Sequence, residues 1–270
     1  MTDLAAVDSV DVQILVDNVT DSLSSVPSFV ETELGGLARR RGAAWVLGGA
    51  CLCCAAHGLS CLLTLRRGDS VHTVLFDTGP EDRTFEQNVS RLGIDLGPVE
   101  AMVLSHGHWD HAGAMLRALQ LVRDRNGGRE VPCYMHPDMF RSRSVKMPDG
   151  SFRLMEDVPS EAALTAHGGR VVSTRNAQAI AGNTVYVSGE IPRHSGFEVG
   201  IELVAKAKRL RLPVAEIPTI WLDRSFAGAG QSNFKLVKWL PRYFRWYRFA
   251  FGPKLSPERV QAPSQQKVGS

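Results

Sequence analysis

Over its first two thirds the chain alternates short apolar runs with polar turns; beyond that it changes to longer stretches with helical spacing. Residues 12–17 predict a first strand, closed by the turn-forming Asp17-Asn18. Residues 20–33 are polar and serine-rich and predict a loop. Residues 58–65 predict a second strand, Arg66-Arg67-Gly68-Asp69 a hairpin turn, and residues 71–76 a third strand ending in Asp77-Thr78-Gly79. Phe85, Val89 and Leu92 share one face of a helix predicted over 83–92. A Gly/Pro-bounded linker, 93–98, leads to an apolar run at 99–104 that reads as a buried strand. Residues 112–125 predict an amphipathic helix stopped by Asn126-Gly127-Gly128. A strand at 131–135 is followed by His136-Pro137-Asp138, then by a polar excursion, 141–161, suited to covering a substrate and turning at Pro148-Asp149-Gly150. Residues 169–173 and 183–187 predict two further strands, the second leading into Ser188-Gly189-Glu190-Ile191-Pro192-Arg193. Strands separated by helices predict a layered α/β sandwich over residues 12–190.

Near Gly196 the pattern changes. Residues 197–210 are strongly helical, with Phe197, Ile201, Val204 and Ala205 on one face. Residues 213–221 read as extended and 228–232 as a loop. Residues 234–251 combine Lys235, Lys238, Arg242, Arg245 and Arg248 with Trp239, Tyr243, Phe244, Trp246, Tyr247, Phe249 and Phe251. Arg242, Arg245 and Arg248 fall on neighbouring turns of one helical face. Residues 253–270 are rich in Ser, Pro and Gln and predict disorder.

The net charge of +3 hides a break at the same place: residues 197–270 hold 13 basic and 5 acidic side chains, the remainder 18 and 23. That asymmetry points to two parts with different partners. The apolar share of 44% is that of a soluble globular chain. Five cysteines, four of them crowded at Cys51, Cys53, Cys54 and Cys61, make a poor disulfide framework. With no secretory signal at the start, small buried apolar residues in a reducing cytoplasm are the expectation. Residues 42–65 approach the length of a membrane span, but His57, Ser60 and several glycines argue against one.

The densest chemistry lies in Ser105-His106-Gly107-His108-Trp109-Asp110-His111-Ala112-Gly113, directly after the 99–104 strand. Imidazole and carboxylate are ligands for zinc and similar divalent ions. His106 and His108, one residue apart, can reach the same ion from an extended loop; Asp110 and His111 diverge and suit a second. Metal ions so held lower the pKa of bound water toward ~7, and two of them about 3.5–4 Å apart can share the resulting hydroxide. Asp110 can also serve as proton shuttle.

This stretch resembles the HxHxDH signature of the metallo-β-lactamase superfamily, whose members adopt an αββα sandwich and are mostly hydrolytic. Asp77-Thr78-Gly79 resembles the strand-end aspartate of that fold. Leu15-Val16-Asp17-Asn18, His57-Gly58-Leu59-Ser60, His136-Pro137-Asp138 and Gly189-Glu190-Ile191-Pro192-Arg193 resemble the dihydropterin–ribofuranosylaminobenzene-phosphate synthase-like branch. The resemblance covers residues 10–195. It implies a divalent metal site of one or two ions, zinc first and manganese or iron as alternatives. His106 and His108 would bind the first ion, Asp110 and His111 the second. Asp77 would support them from behind, and Glu190 and His136 are further candidate ligands. His72, His167 and His194 are expected to be surface or packing residues.

The branch normally continues into more strands and a late Gly-Cys-x-His ligand motif, which this chain lacks. From Gly196 it resembles instead the C-terminal part of family 2 glycosyltransferases of the polyprenol-phosphate sugar synthase type. The carrying residues are Gly196-Phe197-Glu198-Val199-Gly200-Ile201-Glu202-Leu203, Glu216-Ile217-Pro218, Asp223-Arg224-Ser225 and Gly230-Gln231-Ser232-Asn233-Phe234. The Asp-x-Asp metal motif of those enzymes is absent, so glycosyl transfer is not expected. The chain reads as a chimera: a metal-binding domain over 1–195 truncated in its C-terminal half, a glycosyltransferase-like fragment over 196–252, and a tail over 253–270. Three functions follow as expectations: a metal-dependent hydrolase acting on a small-molecule substrate through a metal-bound hydroxide, a catalytically incompetent metal-binding fusion product, or a methanopterin-pathway-like phosphoribosyl transferase. The location is expected to be cytoplasmic. Arg242, Arg245 and Arg248 mark a membrane-proximal stretch for peripheral membrane contact; nucleic-acid binding is not expected.

Overall fold

The computed structural model describes residues 4–20, 25–42, 46–189, 199–211 and 236–256. They fall into two compact units, Met1–Glu190 and Ile191–Ser270. The main strands of the first unit are β1 (Ser9–Val16), β2 (Ser60–Arg67), β3 (Ser70–Phe76), β4 (Ala101–Val103), β5 (Val131–Met135) and, after the hairpin strands β6 (Ser144–Lys146) and β7 (Phe152–Leu154), β8 (Gly169–Ser173). They form a six-stranded sheet of order β1-β2-β3-β4-β5-β8. The first three pair antiparallel; β3, β4, β5 and β8 run parallel. The parallel strands therefore all end at one edge of the sheet. There Asp77 follows Phe76, the stretch to Ser105 follows Val103, His136 follows Met135, and Thr174 follows Ser173. In such sheets the crevice outside the carboxyl ends of the strands is where ligands bind.

Register separates the two sheet faces. Leu62, Leu75, Met102, Cys133 and Val171 stand opposite one another across five strands. This face carries the main core, beneath three helices of the described chain, residues 82–92, 115–125 and 161–166. The helix at Asp82–Leu92 forms because Phe85 and Val89 recur at helical spacing. Its N-cap Glu81 accepts from Thr84 N, and Gly93 closes it in the left-handed region at φ 64°. Phe85 is fully buried, and burying a side chain of that size contributes about 1.5–3 kcal/mol. On the opposite face Leu63, Val74, Phe76, Ala101, Val103 and Tyr134 are covered by a small hairpin, β9 (Gln178–Ile180) with β10 (Val185–Val187). Toward the β1 edge of that face Val10, Val12 and Ile14 remain exposed. A cavity of about 390 Å³ lies on this side, lined by Leu63, Phe76, Tyr134 and Val187 and reaching Ser105, His136 and Met139.

The mixed α/β class is as the pattern predicts, and the fold is the truncated form of the expected sandwich. One full helical layer and one full sheet are present among the described residues, while the second sheet is reduced to a two-stranded hairpin.

Several elements depart from the pattern. In chain order the helices of this unit are α1 (Glu33–Arg41), α2 (Asp82–Leu92), α3 (Trp109–Ala112), α4 (Met115–Arg125) and α5 (Glu161–Ala166). α1 begins at the end of the loop expected over 20–33 and runs through 34–41, for which the pattern predicts no element; it is capped by Thr32 Oγ1 accepting from Gly35 N. Its Gly35-Gly36 pair and three terminal arginines conceal the helical period, and the Leu37 anchor is buried only in the tertiary structure. The helix expected over 112–125 starts only at Met115, as α4: Ala112 closes the short α3, and Gly113 and Ala114 separate the two. The polar excursion contains the β6–β7 hairpin. Residues 46–59 are loop and one 3₁₀ turn, Gly49–Cys51, and no helix among the described residues is long and apolar enough to cross a membrane. All five cysteines are free; burial pushes the thiols of Cys53, Cys61 and Cys133 up to about 12.

The second unit contains α6 (Val199–Leu210) packed on α7 (Leu236–Ala250), which carries Pro241 internally. Trp246, Ala205, Glu202 and Arg209 are buried in this pair. Glu202 is paired with Lys206, and Arg209 caps the end of α7, donating to Phe249 O at 2.7 Å and Pro253 O at 2.6 Å. The glycosyltransferase-like signatures at 216–218, 223–225 and 230–234 lie outside the described residues, as do His194 and residues 257–270.

Candidate metal centre

The centre is built on Asp77, the residue after β3. It is 1% exposed and holds a backbone φ of 55°, a left-handed conformation that aspartate tolerates. Its carboxylate accepts from Ser105 N at 2.7 Å, Ser105 Oγ at 2.7 Å and His111 Nδ1 at 2.7 Å. A buried carboxylate needs such partners, because desolvation without them is prohibitive. The strand end is tied further to the ligand loop: Thr78 N donates to His111 O at 2.8 Å and Gly113 N to Gly79 O at 3.0 Å.

These contacts set the protons on two imidazoles. His111 gives its Nδ1 proton to Asp77, which leaves Nε2 with its lone pair, 3.6 Å from Asp110 Oδ2. Ser105 gives its hydroxyl proton to Asp77 and accepts from His106 Nδ1 at 3.0 Å, so His106 also presents Nε2 as an acceptor. That nitrogen faces His108 Nδ1 at 3.1 Å. Two ligands on one tetrahedral zinc, each at ~2.0–2.1 Å, stand about 3.3 Å apart. The His106–His108 pair is therefore at ligand spacing, with a proton where an ion would sit, and the Asp110–His111 pair is close to it.

Among the described residues no three His, Cys, Asp or Glu side chains converge as a ready-made ligand set. The centre consists of two donor pairs, with His106 the link: its ring centroid lies 4.2 Å from that of His111 and 4.5 Å from that of His108. Donor chemistry and spacing fit a divalent ion at each pair. The hydrogen bond to Asp77 raises the His111 pKa above the ordinary imidazole value against the effect of burial. Burial, with His111 and His108 adding repulsion, lowers that of His106.

Of the other candidates, His136 sits at the end of β5, where its Nδ1 accepts from Asp138 N at 3.1 Å and its Nε2 lies 3.4 Å from Arg175 Nη1. It lines the cavity beside Ser105 rather than the His106–His111 cluster. Glu190 lies outside the described residues. His72 pairs with Glu100 at 2.9 Å and His167 turns onto Ala163 O at 2.8 Å, both away from the centre. His57 is the site residue that spacing did not reveal: Nε2 is 3.6 Å from Asp110 Oδ2 and its ring lies 5.9 Å from that of Trp109. Its neighbour explains the approach. A Cβ on Gly58 would fall 2.0 Å from Asp110 O, so only glycine lets the 57–58 loop rest on the ligand loop. The His57-Gly58 dipeptide was the available signal.

With this geometry in view, comparison with known proteins places the centre in context. Residues 65–172, which span β3 through most of β8 and contain Asp77 and the ligand loop, match the family model described as the metallo-beta-lactamase superfamily. Over that region, about two fifths of the chain, the sequence is similar to that family. It is similar to the 7,8-dihydropterin-6-methyl-4-(beta-D-ribofuranosyl)-aminobenzene-5'-phosphate synthase of Methanocaldococcus jannaschii, with 27% identity over 93 residues, 34% of this chain. The match spans 30% of that relative's length. Among solved structures, Rm3 metallo-beta-lactamase overlaps 52% of this chain and 48% of its own, at 19% identity and a TM-score of 0.30. A mutant flavo di-iron protein from Thermotoga maritima overlaps 46% of this chain and 26% of its own, at 13% identity and a TM-score of 0.28. Overlaps this partial assign no activity.

Proposed function

We propose that the chain is a metal-dependent hydrolase-like enzyme whose reacting centre is the His106–His111 loop. The observation that carries this reading is the Asp77–Ser105–His106 and Asp77–His111 relay, which presents the Nε2 of His111 beside Asp110 and that of His106 beside His108. His106 and His108 would hold one divalent ion, zinc first and manganese or iron as alternatives; Asp110 and His111 would hold a second. Such ions supply Lewis acidity, which makes water a stronger acid and polarises a substrate oxygen. The chain's own part is to keep these donors neutral and aimed. Asp77 fixes the His111 tautomer, Ser105 that of His106, and Asp110, with His57 beside it, can accept and return a proton during hydrolysis of an ester or phosphoester.

Metal analysis after reconstitution tests the reading. One or more equivalents of zinc, manganese or iron are expected, together with turnover of a generic phosphodiester or lactone that disappears in His108→Ala. Less than one equivalent overturns it. Bound metal with no turnover favours the alternative of a catalytically incompetent fusion product. Phosphoribosyl transfer is supported only by the partial match to the archaeal synthase; product from a pterin precursor and a phosphoribosyl donor would establish it.

A separate reading concerns α7. Leu240, Phe244, Tyr247 and Phe251 recur at i, i+4, i+7 and i+11 and are all exposed, with Arg245 and Arg248 alongside. Residues 236–256 contain no acidic side chain. A basic-aromatic face of this kind favours peripheral contact with an anionic lipid surface. Co-sedimentation with phosphatidylserine vesicles but not with phosphatidylcholine vesicles, weakened in Phe244→Ser/Tyr247→Ser, is the expected outcome.

A further inference from the structure

The cavity of about 390 Å³ against the sheet is a space that the metal centre does not use. Its size falls within the ~300–1,000 Å³ of small-molecule sites. It lies between two β surfaces. Leu63, Phe76 and Tyr134 form one wall from β2, β3 and β5, and Val185 and Val187 form the other from β10. Two pleated surfaces set face to face leave a slot, which takes a flat ring more readily than a branched chain. Phe76 and Tyr134 add aromatic surface, and ring pairs gain energy beyond the area they bury. No Lys, Arg, Asp or Glu is among the lining side chains. Nothing there compensates an ionised occupant for its lost hydration, so the part of a ligand held in the slot is uncharged.

Polar groups gather at one end. Ser105, His136 and Thr174 line the cavity where the chain leaves the parallel strands β4, β5 and β8. Ser105 Oγ donates to Asp77 Oδ2 at 2.7 Å and lies 3.0 Å from His106 Nδ1. Ser105 thus belongs to the cavity and to the metal centre at once, and a molecule that fills the slot ends beside His106.

We propose that this slot binds the uncharged aromatic ring system of an aryl ester, with the ester group at the Ser105 end, toward the His106–His111 loop. The ester's place beside that loop rests on the proposed hydrolase function; binding of the ring does not. Hydrolysis there breaks the bond between the acyl carbon and the aryl oxygen, with water giving hydroxyl to the acyl group and a proton to the aryl oxygen.

The test uses the full-length protein stripped of metal with a chelator and titrated with 2-naphthol, a neutral two-ring probe, by calorimetry. Saturable binding at one site is expected, and 2-naphthalenesulfonate, the same rings with a fixed charge, should bind about tenfold more weakly or worse. Val187→Trp and Leu63→Phe fill the slot from opposite walls. Each should weaken 2-naphthol binding about tenfold or more, and the unliganded melting midpoint reports whether each variant is folded. Val12→Trp, on the exposed part of the same sheet face, and Phe244→Ser/Tyr247→Ser, on the aromatic face of α7, should bind as the parent does. Undiminished binding in folded Val187→Trp and Leu63→Phe, loss in either control variant, or equal binding of the sulfonate overturns the proposal. After metal reconstitution, Val187→Trp should raise the KM for 2-naphthyl acetate about tenfold and leave turnover of methyl acetate unchanged. Absence of turnover of both esters with slot-dependent 2-naphthol binding intact would instead count against the hydrolase reading alone.

Discussion

Asp77 is the residue on which the centre depends. Its carboxylate is buried and satisfied by three donors. Replacing it by Asn keeps the shape but offers an N–H where at least one donor already points. Asp77→Asn is expected to lower stability by about 2–4 kcal/mol, as for a broken buried charge network. It should also weaken metal binding about 10–100-fold, the usual cost of losing the carboxylate behind a ligating histidine. Denaturant unfolding and metal titration check the two effects separately.

The same pair carries a pH signature. The native His111 pKa is raised by Asp77, so the pair stabilises the metal-free protein fully below the unfolded imidazole value of ~6.5. That contribution is lost as pH rises through the higher native value. The native His106 pKa is lowered, which has the opposite sign: the unfolded chain takes up the proton first, and stability falls as pH drops below ~6.5. In metal-free His111→Gln the loss of stability above pH ~6.5 should vanish, while the fall below it remains. Unfolding midpoints between about pH 5 and 8 measure this. An ion must also displace protons from the imidazoles, so metal affinity should decline over the same acidic range.

At the scale of elements, α2 and the strands it covers were legible because their periods are strong. Phe85 and Val89 lie on one helical face, and the apolar residues of β2, β3 and β5 recur at the spacing of half-buried strands. Phe85→Ala should cost about 3–5 kcal/mol, since the ring is fully enclosed and its removal leaves a cavity; chemical denaturation reads it. α1 was hidden because a Gly-Gly pair and three arginines mask its period, although Leu37 is buried as completely as any core residue. β9 escaped notice for a different reason. Three residues carry too little period to be read alone, and the strand exists through its pairing with β10, Ile180 opposite Val185.

For the whole molecule, the domain over residues 65–172 supplies the sheet edge on which the centre stands. Asp77 follows β3 and the His106–His111 loop follows β4, so occupancy of the centre should stabilise the unit as a whole. A ligand bound only by the native state at about 100 times its dissociation constant adds about 2.7 kcal/mol. A zinc-dependent rise of the melting midpoint is therefore expected, absent in His106→Ala/His108→Ala and measurable by calorimetry. The candidate donor types were readable before the fold was known, since His106, His108, Asp110 and His111 lie within six residues of one another. What the sequence determined was thus local: the candidate donors, the order of the strands of the main sheet and the break in charge near residue 197. Only the tertiary structure decided which imidazole nitrogens carry protons, that His57 rests beside Asp110, and that Arg141, Arg143 and Arg175 gather around Asp138. Apart from the local contacts of Arg141 and Arg143, these join segments 34 or more residues apart in the chain, and no local period records them.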